Sequence, residues 1–559
     1  MAARSAGPML GVTWAAGYRS GQTVEEPRRW RFGVVYALLA LATSLWAIAV
    51  RVTTVGTFPP DPFYFARILP ASYWLGLVVL CVAFLMVLSF GPSLTRTVAD
   101  VLLLMVVIGY FWGTYCVLYA LPVPHDAYLF MDNISTVALS GHLGGNTSWY
   151  LNMYPLATVF FHELQLLTGI ALPQVVRFYP VLSNGLLLLM LYAVARSALG
   201  PQGVVAPVAL ASCNWVSQWH MVPQNYAMLL TVPLVLLLAS MFCGRGRQNP
   251  VHRLLFMVIT LAIVLGHSSS PILISVALVG AIALYGLLGR LSSRWEQGSR
   301  PSATHIVPLL VTMTTFTVVL FFGYALVEAE FVQRALVNWA QQVLQNVLFG
   351  DLIAMENRDV VDPSASYSLA SFIRLSLTMT TLTIGAVVSV YMLMRRRVEA
   401  VTIGLVGLSG GYLFLSAALV LAGYNLYGYT RGFMLGLIPL SLVFCGLLTV
   451  VGSWKLAESM LGRVLYLLVV LLILAALLLS PITKNASDPY NYFSQSDDAA
   501  EKFLQLHAEA FDAEVFHQNW YNLRVLKRAG VVDYLRSFVS SPANTVYGAG
   551  TSIVILPGP

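Results

Sequence analysis

Residues 101 to 122 read VLLLMVVIGYFWGTYCVLYALP, an apolar run without a charged side chain. A helix needs about 20 such residues to cross the hydrocarbon core of a bilayer. Comparable runs begin near Phe32, Pro70, Val98, Gln174, Gln202, Pro223, Leu254, Pro271, Ile306, Leu369, Ala400, Phe433 and Val464. The pattern predicts an all-α polytopic membrane protein of about 13 transmembrane helices. Composition agrees: 58% of the 559 residues are hydrophobic and 10% charged, against about 45–50% and about 25% in soluble domains.

The formal charge of +7 is no sign of a nucleic-acid partner, because the arginines cluster in short loops between apolar runs, the pattern of topology-setting charges. Cys81, Cys116, Cys213, Cys243 and Cys445 lie in or beside apolar runs with no CxxC spacing, which argues against a disulfide framework or a zinc site. The first 27 residues lack the three-part pattern of a secretory signal.

One further apolar segment, YPLATVFFHELQLLTGI, is decided by the cations. Left out of the span count, it lets Arg28, Arg29, Arg31, Arg96, Arg196, Arg245, Arg247, Arg253, Arg290, Arg294, Arg300, Arg395, Arg396, Arg397, Lys455 and Arg463 fall on one side. That side is the cytoplasm by the positive-inside rule. The segment carries Thr158, His162 and Gln165 on one stripe with Glu163 beside it, as suits a helix lying in the interface. The expected protein is therefore a multi-pass protein of the plasma membrane, N-terminus cytoplasmic and C-terminus exoplasmic.

Three regions follow. Residues 1–31 form a cytosolic tail, 32–482 the spans, and 483–559 an exoplasmic cap. Within the second, loops 123–173 and 330–368 face outward, with the interfacial helices in the first. Sequons beginning at Asn133, Asn146 and Asn485 all fall outside. The cap contains DDAAEKFLQLHAEA, read as an amphipathic helix, and ends in NTVYGAGTSIVIL, read as a hairpin about GAG. It is expected to be a small α/β unit packed on the bundle.

The loop from Val123 to Pro173 carries Asp126 and Asp132 but no Lys or Arg. A carboxylate confined between membrane and interfacial helix can serve as a general base or a metal ligand, whereas one in an open loop is simply solvated. His125, His142, His162 and Glu163 share the loop. A divalent cation such as Mg or Mn, held by Asp126, Asp132 and His162, is a candidate, although the spacing matches no defined ligand motif. Arg67, Arg177 and Arg431 sit beside aromatic residues at outer span ends, in FYFARILP, VVRFYP and YNLYGYTRGF. Interface anchoring accounts for each singly, while a guanidinium can also grip a phosphate through two hydrogen bonds. QWHMVPQNYAM and VLGHSSSP place His220, Gln224 and His267 at helix ends marked by proline, either as kinks or as the lining of an outward cavity.

Together these features resemble the GT-C class of membrane glycosyltransferases of prokaryotic and archaeal type. The resemblance covers most of the chain. It rests on DAYLFMDNISTVALSGHL, YPLATVFFHELQLLTGI and VVRFYPVLSNGLLLLMLYAVAR in succession, with VPQNYAM, LGHSSSP and the closing NTVYGAGTSIVIL in support. It implies a GT-C-like fold and inverting sugar transfer from a polyprenyl-phosphate-linked donor to a glycan, protein or lipid acceptor at the outer face. Asp126 would be the general base, and Asp132 would orient the acceptor or help hold a metal. Arg431, with Arg177 or His267, would stabilise the departing lipid phosphate, beside Gln224 and Tyr429. Two spans precede the one leading into the Asp-bearing loop, where typical members have none. Neither the Asp-Glu pair of many members nor a WWDYG signature is present. Asp61, in the first outer loop, is the alternative base, and Asp126 is preferred because the interfacial helix follows it. The competing functions are a transporter or lipid flippase, whose expected mark is ionisable residues in mid-span, and a non-catalytic envelope scaffold.

Overall fold

The computed structural model describes residues 29–54, 63–119, 125–141, 155–216, 222–242, 249–267, 269–291, 303–328, 337, 341, 365–394, 399–421, 426–452, 460–485, 513–516 and 554–557. The chain opens with α1 (Arg29–Val52), the short α2 (Tyr64–Ile68) and α3 (Ala71–Leu88). α4 (Leu94–Ile108) passes through a π-helical turn, Gly109–Gly113, into α5 (Thr114–Leu118). α6 (His125–Ser140) and α7 (Pro155–Thr168) precede α8 (Leu172–Leu199), a 3-10 turn at Pro201–Val204 and α9 (Val205–Cys213). Then come α10 (Pro223–Phe242), α11 (Pro250–Gly266), α12 (Ser270–Leu291) and α13 (Ala303–Glu328). α14 (Ala365–Met394), α15 (Ala400–Leu421), α16 (Leu426–Gly452) and α17 (Met460–Asn485) complete the bundle.

Eleven of these helices, α4 and α5 counted together, are long and apolar enough to cross a membrane. Every one of the expected runs is helical, but two fall short of the expected span length, Pro201–Cys213 and Pro250–Gly266. The reason is local. Gly200, at φ +89, sets the start of the first, and Asn214 ends it in extended backbone, its side chain accepting from Val216 N–H, so the helix stops after Cys213. Asn249 caps the next case, its side chain accepting from Val251 N–H, with Pro250 at the first position. α7 forms over the segment read as interfacial and is not of spanning length.

α16 is the central helix, with 89% of its apolar window buried, whereas α1 lies at the rim with 22%. Rim helices turn residues such as Phe372, Val319 and Phe414 outward, the arrangement of a bundle whose solvent is lipid. Without a hydrophobic drive between helices in lipid, close backbone approach supplies the packing. At the α12–α15 contact a Cβ on Gly411 would stand 2.5 Å from the Val276 carbonyl and 2.6 Å from Ala277 Cα. Gly407 and Gly280 meet backbone equally closely, each at 2.5 Å. The sequence GLSGG at 407–411 thus works as a small-xxx-small seam.

The π-turn leaves carbonyls without regular helical partners, and hydroxyls fill the gap. Tyr110 O accepts from Tyr73 OH at 2.8 Å and from Thr114 Oγ1 at 2.8 Å. At the C-terminal side, α17 continues to Asn485, so Thr483 and Lys484, read from sequence as the start of the cap, lie within the helix and are buried. Of the cap itself, β1 (Ala513–Phe516) pairs antiparallel with β2 (Val554–Pro557), Val515 opposite Ile555. β2 is the second arm of the expected hairpin; its first arm, and the helix expected over DDAAEKFLQLHAEA, lie outside the described residues. So do Asp61, His220, most of loop 330–368 and the tail before Arg29.

Candidate functional site

α11 ends at Gly266, and His267 leaves it in extended conformation while its N–H still closes on Ile263 O at 2.9 Å. The imidazole turns back, so that Nδ1 meets Ser270 Oγ at 2.6 Å. α12 begins at that serine, with Pro271 in its first turn where no N–H is required. From α16, Arg431 reaches across 162 positions of sequence and donates from Nη1 to Ser269 Oγ at 3.2 Å. Gln224, in the first turn of α10, points its Nε2 at Met434 Sδ, 3.6 Å away, about one turn beyond Arg431. Three residues expected at the site, Arg431, His267 and Gln224, therefore converge where α10, α12 and α16 begin.

His267 is 3% exposed. Burial, reinforced by the positive charge of Arg431, holds its pKa well below that of an ordinary imidazole. It is therefore neutral at pH 7. Arg431 is half-buried. A guanidinium, a neutral imidazole, two hydroxyls and the start of a helix present donors and positive charge on one spot, a combination suited to an anion.

The Asp-bearing segment forms α6, which buries Ala127, Phe130, Ile134 and Val137. Their spacing of three and four residues is one face of a helix. That face joins a second apolar core, distinct from that of the main bundle. It contains Ala157 and Phe161 of α7, Leu172, Val176 and Tyr179 of α8, Tyr226 of α10, Val264 of α11 and Phe321 of α13. Phe161 is the hub: its ring lies 5.6 Å from Phe130 and 4.9 Å from Tyr179, edge-on to both. Val264 is three positions before His267. The helix that carries Asp126 and Asp132 thus packs on the same aromatic core that supports His267. The side chains of Asp126, Asp132 and Tyr429 lie outside the described residues.

Arg177 is engaged elsewhere. Its Nε donates to Cys116 O at 2.6 Å and its Nη2 to Val117 O at 3.5 Å, so it caps the end of α5, with the guanidinium 5.1 Å from the Phe178 ring centre. His162, on α7, is half-buried, and its Nδ1 is buried without a hydrogen-bond partner. Among the described residues no group of three or more His, Cys, Asp or Glu stands together for a metal.

Two charged clusters were not foreseen. Arg374 donates from Nε to Thr483 O at 2.8 Å and lies over Trp215 at 5.1 Å. The adjacent Lys484 donates to Ala211 O at 2.5 Å and sits 4.7 and 4.3 Å from the rings of Phe111 and Trp112, on the π-turn. Trp215 also packs near Phe433, ring centres 6.5 Å apart, which places this cluster at the same end of the bundle as Arg431. The second cluster corrects a reading made above. Arg96, taken for a loop cation, is wholly buried and paired with Asp100, Nε to Oδ2 3.7 Å. Arg96 also donates to Phe90 O and, at 3.2 Å, to Gln202 Oε1, while Tyr192 OH donates to Asp100 Oδ2 at 2.8 Å. Cys445 of α16 donates to Gln202 O, about 21 Å along that helix from Arg431 at 1.5 Å per residue. The clusters occupy opposite ends of the bundle.

Compared with known proteins, the chain matches no family model and no curated protein.

Proposed function

We propose that the chain is a membrane glycosyltransferase of GT-C type, moving a sugar from a polyprenyl-phosphate-linked donor to an acceptor hydroxyl at the outer face of the cell membrane. The observation that carries this reading is the union of Arg431, Ser269, His267 and Ser270 from two distant segments, while the helix that bears Asp126 packs in the apolar core that also holds Val264 of α11. The arginine asymmetry of the loops supports reading that end of the bundle as the outer one.

In this mechanism Asp126 takes the proton from the acceptor hydroxyl as its oxygen attacks the anomeric carbon. The bond from that carbon to the phosphate oxygen breaks on the opposite face, giving inversion, and its electron pair stays on the lipid phosphate. Arg431 meets the charge that grows there, and the serine hydroxyls add hydrogen bonds. His267 is neutral, so it shapes the site without doubling its positive charge. Asp132 orients the acceptor. A divalent cation, if bound, would lend further positive charge to the phosphate, with Asp126, Asp132 and His162 as the residues to hold it.

The test is transfer of labelled sugar from a polyprenyl-phosphate donor by membranes containing the protein. Asp126→Asn is expected to lower transfer by about a hundredfold or more with the protein still folded; unchanged transfer would remove Asp126 from the role of base, and a parent protein that transfers no sugar would remove the enzyme reading. The transporter or flippase reading draws on one observation, the ionisable pair Arg96–Asp100 buried inside a membrane-length helix. It predicts lipid or solute movement that Asp100→Asn stops.

A further inference from the structure

One ring joins α7 to the anion site. Tyr226 of α10 is 7% exposed. On one side it meets two rings of α7, Phe160 at 5.3 Å and Phe161 at 6.5 Å between centres. On the other its edge closes on the end of α11. A Cβ on Gly266 would come within 2.5 Å of Tyr226 Cε1 and 2.6 Å of Cδ1, so the ring fills the space a side chain would take. The next residue is His267. Any movement of the ring is felt by the peptide that sets where the imidazole points, because packed interiors leave no slack to absorb it.

α7 is itself a dependent element. It has 14 residues, too few for a stable isolated helix in water. Its inner stripe, Ala157, Thr158 and Phe161, is buried, while Leu166 and Leu167 are exposed. Its position is therefore set by docking on the bundle. We infer that Tyr226 is a positioning residue that transmits the docking of α7 to His267, so that the His267–Ser270 and Arg431–Ser269 arrangement is assembled only with α7 seated. The consequence for ligands rests on the phosphate-binding reading given above; the mechanical link does not.

The experiment uses the full chain in phosphatidylcholine nanodiscs, with dodecyl phosphate as the anionic probe. The His267 imidazole is followed by nitrogen NMR across pH, assigned by its loss in His267→Asn. Among the groups described, Arg431 on α16 is the charge that acts on His267, and the titratable Tyr226 on α10 packs on its neighbour Gly266. Tyr226→Ala and Gly266→Ala are expected to raise the His267 midpoint by about one pH unit or more, towards the ordinary imidazole value, and to weaken dodecyl phosphate about tenfold, a change of about 1.4 kcal/mol. Tyr226→Phe keeps the ring and is expected to behave as the parent. Phe160→Ala, at the accessible rim of the contact, moves the midpoint in the same direction without opening the core. An unchanged His267 titration in Tyr226→Ala or in Phe160→Ala overturns the inference, as does a Tyr226→Phe variant as impaired as Tyr226→Ala. A parent protein that ignores dodecyl phosphate while Tyr226→Ala still moves the His267 midpoint supports the positioning role and refutes the phosphate site.

Discussion

Replacing Asp100 by alanine will leave a guanidinium buried without its counter-charge. Both side chains of the pair are 0% exposed. Arg96 keeps its two neutral acceptors, Phe90 O and Gln202 Oε1, but loses the carboxylate. Removing one partner of a buried ion pair costs about 3–5 kcal/mol, and the orphaned Tyr192 hydroxyl adds about 1 kcal/mol. The expected destabilisation is about 4–6 kcal/mol, a large share of the stability of most proteins. Removing both charges, as in Arg96→Met with Asp100→Leu, abolishes the desolvation problem and should recover most of that loss. The assay is reversible unfolding in mixed micelles with increasing SDS, followed by far-UV circular dichroism. An Asp100→Ala variant within about 1 kcal/mol of the parent, or a double variant no more stable than the single, would refute the reasoning.

Other consequences are as specific. Gly411→Leu drives a side chain into the backbone of α12, 2.5 Å from Val276 O, and is expected to cost more than about 2 kcal/mol, read as lost folded yield in detergent. Lys484→Met removes an ammonium held between two rings and should lower stability by about 2 kcal/mol, measurable as an earlier SDS midpoint. His267 is neutral in the fold with its pKa depressed, so it contributes stability above about pH 6.5, and that stability is lost as pH falls from there towards the folded pKa. His267→Gln should flatten this acid limb of the stability profile, and an unchanged limb would show that the group is already charged. Arg177→Ala frees the carbonyls that end α5 and is expected to lower stability by about 1–3 kcal/mol, with dodecyl phosphate affinity unchanged.

The helices were legible because apolar run length is a local property, and every expected run proved helical. Their ends were less so: α9 stops at Cys213, where Asn214 leaves the helix in extended backbone and its side chain accepts from Val216 N–H, which hydropathy does not register. Arg431, His267 and Gln224 could be picked out as polar residues beside helix-breaking prolines or in a short Tyr- and Gly-rich loop, but their pairing spans 162 positions and no local pattern carries it. Arg96 was misplaced because hydropathy treats a charge near a run's edge as a loop residue. The signal was there, since Asp100 stands four positions on and shares its helix face, yet Tyr192 and Gln202 complete the network from distant helices. Lys484 and Arg374 had no sequence signal, because the rings and carbonyls that hold them come from distant places: the π-turn before α5, α9 and Trp215 just after it, and α17.

The most direct test is a density map of the protein in nanodiscs with a non-hydrolysable polyprenyl-phosphate sugar bound. The prediction is phosphate within about 3 Å of the Arg431 guanidinium, with the sugar between it and the Asp126 carboxylate. Phosphate density away from Arg431, or an Asp126 carboxylate facing bulk water on the far side of α6, would contradict the assignment.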